Sequence, residues 1–244
     1  MREEDTSEYW DKKWAYGQDR RERVILDGSD GEKEFDKELR LRTAGKIVLD
    51  VGCGRGDFTL RIAAKAKEVN GVDISTTALR QAEGRLVRSK LTNVEFDLED
   101  AGNLSFPKNT FDVVYSRRGP GSDSAQTLLE AYRVLRKKGV FMEITIGERD
   151  KQNLARIFGR GQMLGVKRQV SMKKKEMLEK ADFTKVVTRD YLGTEVFRTM
   201  SDLLVRLRSA PIIPAFDARR DRRFLKSVQR ECLTDRGIET PVHR

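Results

Sequence analysis

The middle of the chain, from residue 46 to residue 147, alternates short apolar runs with longer stretches of helical periodicity. The apolar runs are four to seven residues long and rich in valine, isoleucine and phenylalanine, which is typical of buried β-strands. The predicted strands are 46–51, 68–73, 94–97, 111–116 and 140–146. The predicted helices between them are 58–66, 76–90 and 124–137. Strands that alternate with helices in this way predict an α/β fold with a parallel sheet and crossover helices.

Both flanks of this core are predicted to be mainly helical. The N-terminal flank has an aromatic amphipathic segment, and a loop is predicted at 27–31, where glycine, aspartate and serine cluster. The C-terminal flank is predicted to contain helices near 173–180, 203–207 and 217–231, a strand at 185–187 and a turn at 211–214. The expected division is an N-terminal helical cap and loop (1–38), a core domain (39–148), and a C-terminal part with the last strand and the substrate-side helices (149–244).

The composition favours a cytoplasmic protein without a metal. No apolar run approaches the roughly 20 residues of a membrane span, and the acidic, aromatic N-terminal residues lack the pattern of a signal peptide. Cys53 and Cys232 are far apart in the sequence, so we expect free thiols. His243 is the single histidine, which disfavours histidine-based catalytic triads and His-rich metal sites. We therefore expect neither a membrane partner nor a bound metal.

The charge is uneven along the chain. The 244 residues carry a formal net charge of +10, and residues 149–244 hold 23 lysines and arginines against 12 aspartates and glutamates. Such an excess most often marks a solvated face. It also suits a surface that attracts RNA or an anionic substrate, so both interpretations stay open.

A glycine-rich motif follows the first predicted strand. It runs from Asp50 through Gly52, Gly54 and Gly56, and a predicted helix comes next. Glycines permit a sharp turn from strand to helix and let a ligand approach the backbone closely. In a dinucleotide fingerprint the third glycine comes one residue later, and the chain has no G-x-x-x-x-G-K-[ST] phosphate loop. The motif therefore predicts a nucleotide-like ligand, and its spacing disfavours a dinucleotide.

Two aspartates stand at the ends of the next two predicted strands. Asp73 ends the second strand, 17 residues after Gly56, where a carboxylate can accept hydrogen bonds from both hydroxyls of a ribose. Asp100 follows the third strand. Because the carboxyl ends of parallel strands share one edge of a sheet, we expect both carboxylates beside the crevice that the glycines shape.

These motifs resemble those of the class I methyltransferases, in particular their UbiE-like, type-11 branch. That family has D/E-x-G-x-G-x-G, an acid at the end of the second strand, and then an Asp-Ala pair followed by L-x-F-P and F-D-x-V. This chain has each motif in that order, the last three at 100–101, 104–107 and 111–114. The resemblance covers about 100 residues of the core. It implies a Rossmann-like fold with helices on both faces of a mostly parallel sheet.

The resemblance implies that the cofactor is S-adenosylmethionine. It places the glycines around the methionine part with Asp50 nearby, Asp73 at the ribose, and the Asp100-Ala101 pair at the adenine. In the family the position of Cys53 holds a small packed residue, which argues against a nucleophile there. The residues implied to bind the cofactor are Asp50, Gly52, Gly54, Gly56, Asp73, Ile74, Asp100, Ala101 and Ser116.

Such a cofactor brings its own reactive group. Methyl transfer from a sulfonium is an in-line displacement, in which the protein supplies proximity, orientation and a dry pocket. If the acceptor must lose a proton, Glu143 and Tyr115 are the leading candidates for the general base, followed by Glu148 and Tyr191. Glu143 interrupts an apolar strand, where an unpaired carboxylate is costly. Pairing of Glu143 with an arginine is the alternative explanation.

The acceptor site is predicted in the loops after the fourth and fifth strands. Arg117, Arg118 and Arg149 lie there, and guanidinium groups match the two oxygens of a carboxylate or phosphate. The alternative is that either Arg117 or Arg118 forms an ion pair with Glu143 or Asp123 and that the other lies in solvent.

Three functions follow from these patterns. The leading one is methylation of a small molecule, with an anionic acceptor as one option. The second is an RNA methyltransferase that uses the basic C-terminal third, although the N/D-P-P-Y/F motif of amino-methylating nucleic-acid enzymes is absent from the fourth strand. The third is a noncatalytic module that binds S-adenosylmethionine, because binding motifs alone do not establish turnover.

The last strand of the sheet is predicted to be missing or irregular. The family has seven strands in the order 3-2-1-4-5-7-6, and the chain ends at Arg244, where the seventh strand would begin. The final residues contain Pro241, and proline is a poor residue for an interior strand. A truncated C-terminus would explain such a gap.

Overall fold

A computed structural model describes residues 6–15, 24–121, 124–166 and 168–244. The chain divides into two compact units. The core unit comprises residues 1–12, 32–145 and 174–187, and the second unit comprises residues 13–31, 146–173 and 188–244. Both units are therefore assembled from separate stretches of the chain. The three-part division expected from the sequence stays a prediction.

The described helices and strands alternate for most of the chain. The helices are α1 (Ser7–Ala15), α2 (Gly31–Thr43), α3 (Asp57–Ala63), α4 (Thr76–Ser89), α5 (Ala125–Val134), α6 (Gln152–Phe158), α7 (Val170–Lys180), α8 (Met200–Ser209) and α9 (Arg222–Cys232). The strands are β1 (Val24–Gly28), β2 (Ile47–Val51), β3 (Glu68–Asp73), β4 (Val94–Leu98), β5 (Phe111–Arg117), β6 (Leu135–Ile144), β7 (Leu192–Phe197), β8 (Leu233–Thr234) and β9 (Gly237–His243).

The core unit contains a parallel sheet of five strands in the order β4-β3-β2-β5-β6. Apolar side chains cover both faces. On one face, Leu49 and Val114 pack with Ala131 and Val134 of α5. The opposite face has its own cluster, formed by Leu39, Val48, Phe58, Ile62, Ala63, Val69, Val94, Val113 and Tyr115. The predicted α/β fold with a parallel sheet and helices on both faces is thereby confirmed.

The second unit contains an antiparallel sheet in the order β1-β7-β9-β8. Its core includes Phe197 and Ile238 from the strands and Leu154, Leu203 and Val228 from α6, α8 and α9. The prediction of helical caps at the N- and C-terminal ends is therefore wrong, because this part of the chain forms an antiparallel sheet with helices packed on it. The loop predicted at 27–31 is also wrong in part, because the β-type residues before it pair with β7 and extend the strand to Gly28.

The prediction for the C-terminal residues is half right. The five-stranded sheet has no sixth or seventh strand among the described residues, but Gly237–His243 is a regular strand between β7 and β8. Pro241 is tolerated because its nitrogen faces away from β7. The carbonyl of Pro241 faces the same side as its nitrogen and accepts a hydrogen bond from the Lys151 backbone N–H at 2.9 Å. The missing N–H of Pro241 therefore removes no hydrogen bond between β9 and β7.

Several boundaries differ from the sequence prediction. The helix expected to reach residue 137 ends at Val134, because Leu135 already pairs with Phe111 and begins β6. The strand expected at 185–187 is absent, and the nearest strand is β7. The helix expected from residue 217 begins at Arg222, since Asp217 accepts the backbone N–H groups of Arg219 and Arg220 in a turn.

Candidate functional site

The glycine-rich loop joins β2 to α3 at the carboxyl edge of the parallel sheet. Gly52, Gly54 and Gly56 have φ angles of 75°, 55° and 72°, a left-handed conformation that glycine adopts without strain. A Cβ on Gly52 would lie 2.6 Å from Pro120 Cδ, and one on Gly56 would lie 2.6 Å from the Phe96 ring. These two glycines are therefore needed for both conformation and close packing.

Asp73 connects this loop to the end of β3. Its Oδ2 accepts a hydrogen bond from the Gly54 backbone N–H at 2.8 Å, and its Oδ1 accepts one from Ser75 at 2.9 Å. Burial raises the pKa of Asp73, and backbone donors that include Ile74 oppose the rise. A carboxylate has about four acceptor positions, so further donors such as ribose hydroxyls can be accommodated.

Asp50 lies beneath the loop in a buried polar cluster. Its Oδ2 accepts hydrogen bonds from the hydroxyls of Thr59 at 2.7 Å and Tyr115 at 2.6 Å. Burial raises the pKa of Asp50 to about 6, although both hydroxyls stabilise the charged form. The charge of Asp73 adds to the rise, so the two carboxylates share one electrostatic environment.

Tyr115 lies deep in the core unit, beside Asp50. Its side chain is fully buried and packs edge-on against Phe58 at 5.9 Å between ring centroids. Burial and the adjacent Asp50 raise the pKa of the Tyr115 hydroxyl well above its ordinary value. Its hydroxyl already donates to Asp50, so these contacts favour a structural role, and a catalytic Tyr115 stays a prediction.

The thiol of Cys53 resists ionisation. Burial, followed by the charge of Asp50, raises the pKa of its thiol well above the ordinary value. A thiol that resists ionisation is a poor nucleophile. The position agrees with a packed residue in the loop.

Asp100 and Ala101 follow β4 at the same edge. The Glu99 backbone N–H donates to the Asp73 carbonyl at 3.2 Å, which brings the Asp100-Ala101 pair beside the end of β3. The Asp100 carboxylate is exposed and accepts the Gly102 backbone N–H at 2.8 Å. Ala101 is buried among the core residues. The turn therefore has a fixed backbone and an accessible carboxylate.

Ser116 fixes the end of β5. Its hydroxyl donates to the Val51 carbonyl at 2.9 Å and accepts the Gly121 backbone N–H at 3.2 Å. The side chain is completely buried. Ser116 thus links β5, β2 and the following turn, and these contacts explain its presence without a ligand.

Arg117 and Arg118 have different surroundings. Arg117 donates to Asp36 at 2.9 Å and Glu32 at 2.7 Å, both on α2, and lies over the Phe58 ring. Burial opposes the charge of Arg117, but Glu32 and Asp36 outweigh it and raise its pKa. Arg118 is more exposed and lies 3.5 Å from Glu32.

The observed acidic partners of Arg117 are two carboxylates of α2. Glu143 was one expected partner, and it lies 3.5 Å from Lys174 Nζ instead. The other, Asp123, lies outside the described residues. Because two carboxylates of α2 already bind Arg117, these contacts favour a structural role, and its assignment to the acceptor stays a prediction. For Arg118, a contact with the acceptor also stays a prediction.

Glu143 remains the base candidate in the core unit. Its side chain is almost buried, and Lys174 lies beside it with a side chain that is 15% exposed. The cation seen beside Glu143 is thus a lysine of α7.

The remaining predicted residues belong to the second unit. Arg149 is exposed, and its backbone N–H donates to His243 Nδ1 at 3.4 Å. Glu148 accepts the Val170 backbone N–H at 3.1 Å, and Tyr191 pairs through its backbone with Arg244. The assignment of Arg149 to the acceptor, and of Glu148 and Tyr191 as further base candidates, stays a prediction.

Sequence reasoning missed the charged residues that reach this cluster from outside the motifs. Glu32 and Asp36 bind Arg117, and Asp11 of α1 bonds with the residues just after Asp73. All three lie in stretches crowded with charges. Nothing in their local pattern separates them from solvated side chains.

Neither a metal site nor a membrane span is found in the described part of the chain. No group of three or more His, Cys, Asp or Glu side chains there could hold a metal ion. Likewise, no described helix combines the length and apolar character needed to cross a bilayer.

Comparison with known proteins gives the family context. A family model described as a methyltransferase domain matches residues 42–191, more than half of the chain. The demethylmenaquinone methyltransferase of Symbiobacterium thermophilum is 38% identical over 117 residues, which cover 45% of this chain and 46% of that protein. Phosphoethanolamine N-methyltransferase 1 of Zea mays is 38% identical over 95 residues, or 38% of this chain and 19% of that protein. The matches thus span less than half the length of these curated relatives.

Two solved structures share the fold. The YcgJ protein of Bacillus subtilis has a TM-score of 0.64 at 17% identity, covering 87% of this chain and 94% of that chain. A putative methyltransferase of Bacillus halodurans has a TM-score of 0.63 at 17% identity, covering 86% of this chain and 95% of that chain. At this identity they establish the fold alone.

Proposed function

The chain belongs to the class I S-adenosylmethionine-dependent methyltransferases, and on that premise we propose that it methylates a small organic molecule. The observation that carries the proposal is the link between the glycine loop and Asp73 through the Gly54 N–H. A carboxylate that can accept hydrogen bonds from ribose hydroxyls, next to backbone that a ligand can approach closely, supports the binding of a nucleoside-type donor.

The charge of the cluster supports the choice of cofactor. Asp50 and Asp73 lie close enough to influence each other's ionisation. A negative environment is unfavourable for the pyrophosphate of a dinucleotide and favourable for a ligand with sulfonium and ammonium groups. The charge of the cluster and the glycine spacing therefore both favour S-adenosylmethionine over a dinucleotide.

Each residue of the cluster has a defined task in this proposal. When bound, S-adenosylmethionine supplies an electrophilic methyl group on its sulfonium. Asp73 holds the ribose and Asp100 lies at the adenine. Thr59 and Tyr115 fix Asp50 beneath the loop, so its charge acts through a rigid side chain. The protein thus contributes mainly position and electrostatics.

On the acceptor side, we assign Glu143 and Arg118 different roles. Glu143 accepts a proton where the acceptor must lose one, and the ammonium group of Lys174 lies beside it. Arg118 is partly exposed and can bind an anionic group of the acceptor. The named relatives act on demethylmenaquinone and on phosphoethanolamine, and we propose acceptors of this small-molecule class.

A transfer assay with radiolabelled donor tests the proposal. The acceptors are a short-chain demethylmenaquinone, phosphoethanolamine and total RNA, each with and without the protein. Transfer to either small molecule supports the proposal. Labelling of RNA alone would replace it with the RNA alternative, and donor binding without transfer to any acceptor would favour the noncatalytic alternative.

A further inference from the structure

Asp11 of α1 forms hydrogen bonds with three consecutive residues at the start of α4. Its Oδ1 accepts from the Ser75 hydroxyl at 2.5 Å and from the Thr77 backbone N–H at 2.9 Å, and its Oδ2 accepts from the Thr76 hydroxyl at 3.2 Å. The partners are 64 to 66 residues away in the sequence. One carboxylate therefore anchors the N-terminal helix to this turn.

The same turn holds Asp73. Ser75 donates its backbone N–H to Asp73 and its hydroxyl to Asp11, and its oxygen also accepts the Ala78 N–H. Ser75 is fully buried, so its position is fixed by these contacts. A continuous chain of hydrogen bonds thus runs from Asp11 through Ser75 and Asp73 to Gly54.

Asp11 is more than a local helix cap. Ser75 already caps α4 through its own side chain, and the first turn of α4 contains no acidic residue. Asp11 supplies from a distant helix the negative charge that a helix N-terminus favours. Burial opposes the charged form, yet the bonds from Ser75 and Thr77 outweigh it and lower the pKa of Asp11.

We propose that Asp11 is a positioning residue for the methyl donor, which docks α1 on the turn that orients Asp73. The inference rests on the proposed function. α1 contains no fully buried residue, so its anchoring depends strongly on polar contacts such as these. Release of Asp11 undocks this part of α1 from the Ser75 turn and lets that turn, and with it Asp73, leave the geometry that binds the donor.

The chain provides its own reporter for this docking. Its two tryptophans, Trp10 and Trp14, both lie in α1. Intrinsic tryptophan fluorescence therefore reports the surroundings of this helix alone. A matched control is also present, because Glu8 lies on the same helix, is exposed, and forms an ion pair with Lys12 of α1.

The experiment compares the parent, Asp11→Ala, Asp11→Asn and Glu8→Gln by calorimetric titration with S-adenosylhomocysteine and by tryptophan emission during the same titration. The parent and Glu8→Gln should bind alike and change their emission on binding. Asp11→Ala should bind roughly tenfold more weakly, as loss of hydrogen bonds to a charged group predicts, and should lose the emission change. If Asp11→Ala does not fold, Asp11→Asn is judged by the same criteria.

Failure of this inference is distinguishable from failure of the proposed function. If the parent does not bind S-adenosylhomocysteine, the proposed function fails. If the parent binds and the Asp11 variants retain either the parental affinity or the parental emission change, only the role of Asp11 is overturned.

Discussion

Asp73 is the residue on which the proposed cofactor site depends most directly. Replacement with asparagine removes the charge while keeping the size, so the ribose hydroxyls lose a charged acceptor. The affinity for S-adenosylhomocysteine should fall roughly tenfold to a hundredfold, as measured by calorimetry. Glu68→Gln is the matched control, because Glu68 is an exposed acid at the opposite end of the same strand. Equal affinities in both variants would remove Asp73 from the site.

Asp50 should make stability depend on pH in an unusual direction. Burial raises its pKa to about 6, whereas an unfolded aspartate has a pKa near 3.9. The folded state therefore binds this proton more tightly. The resulting stabilisation is complete below about pH 4 and is lost as the pH rises through about 6. A shift of about two pKa units corresponds to about 3 kcal/mol.

The prediction compares Asp50→Asn with the parent in urea unfolding at pH 4 and pH 7.5. We compare the free energy of unfolding of the variant minus that of the parent at each pH. This difference should be more positive at pH 7.5 than at pH 4 by on the order of 2 to 3 kcal/mol. Asp235→Asn, which removes an exposed carboxylate in the second unit, should show no such change. A constant difference for Asp50→Asn would mean that this carboxyl titrates normally.

At the scale of elements, α2 and its arginine partner form one structural feature. Arg117→Ala removes two close carboxylate contacts and the packing on Phe58. The free energy of unfolding should fall by about 2 kcal/mol, and the KM for the acceptor should change little. Arg42→Ala is the control, since Arg42 pairs with Glu38 within α2 at a largely exposed site, where such pairs contribute at most about 0.5 kcal/mol. A raised KM at parental stability would instead support the assignment of Arg117 to the acceptor site.

The elements also divide into those that local pattern predicts and those that it does not. The buried strands of the core unit combine continuous apolar runs with glycine-marked ends, so the sequence predicts them well. α2 was missed because Phe35 and Leu39 are its only large apolar residues near the core, amid many charges. β1 and β7 depend on pairing between residues about 170 positions apart, which no local window contains.

The site follows the same division. The glycine motif and Asp73 are contiguous signals, and they were recognised with the family resemblance. The roles of Asp50 and Tyr115 depend on a contact across 65 residues, and that of Arg117 depends on contacts across 81 and 85 residues. Motifs indicate which residues a fold uses, whereas only tertiary structure decides which of them pair with each other.

At the scale of the whole molecule, the two units differ sharply in charge. The second unit holds 23 lysines and arginines against 14 aspartates and glutamates, whereas the core unit holds 26 against 25. Nearly all of the net charge of +10 is thus carried by the second unit. Three exposed cations of α9, at Arg222, Arg223 and Lys226, form no ion pair within the described residues.

This asymmetry predicts where polyanions bind. Replacement of Arg222, Arg223 and Lys226 together by glutamine should weaken binding to single-stranded RNA or heparin and reduce the slope of log affinity against log salt by about 2, since each neutralised phosphate contributes about 0.7. Methyl transfer to a small acceptor should be unchanged, because the donor residues lie in the core unit. Binding is measured by fluorescence anisotropy across a salt series.

The control removes the same number of charges from the core unit, at the exposed Lys65, Lys67 and Lys90. Electrostatic attraction to a polyanion depends on local cation density, so this variant should retain most of the affinity and the parental salt slope. If both triple variants lose affinity equally, binding follows net charge alone and the second unit has no special role. If only the α9 variant loses it and small-molecule transfer persists in both, the basic surface and the methyltransferase site are separable features of one chain.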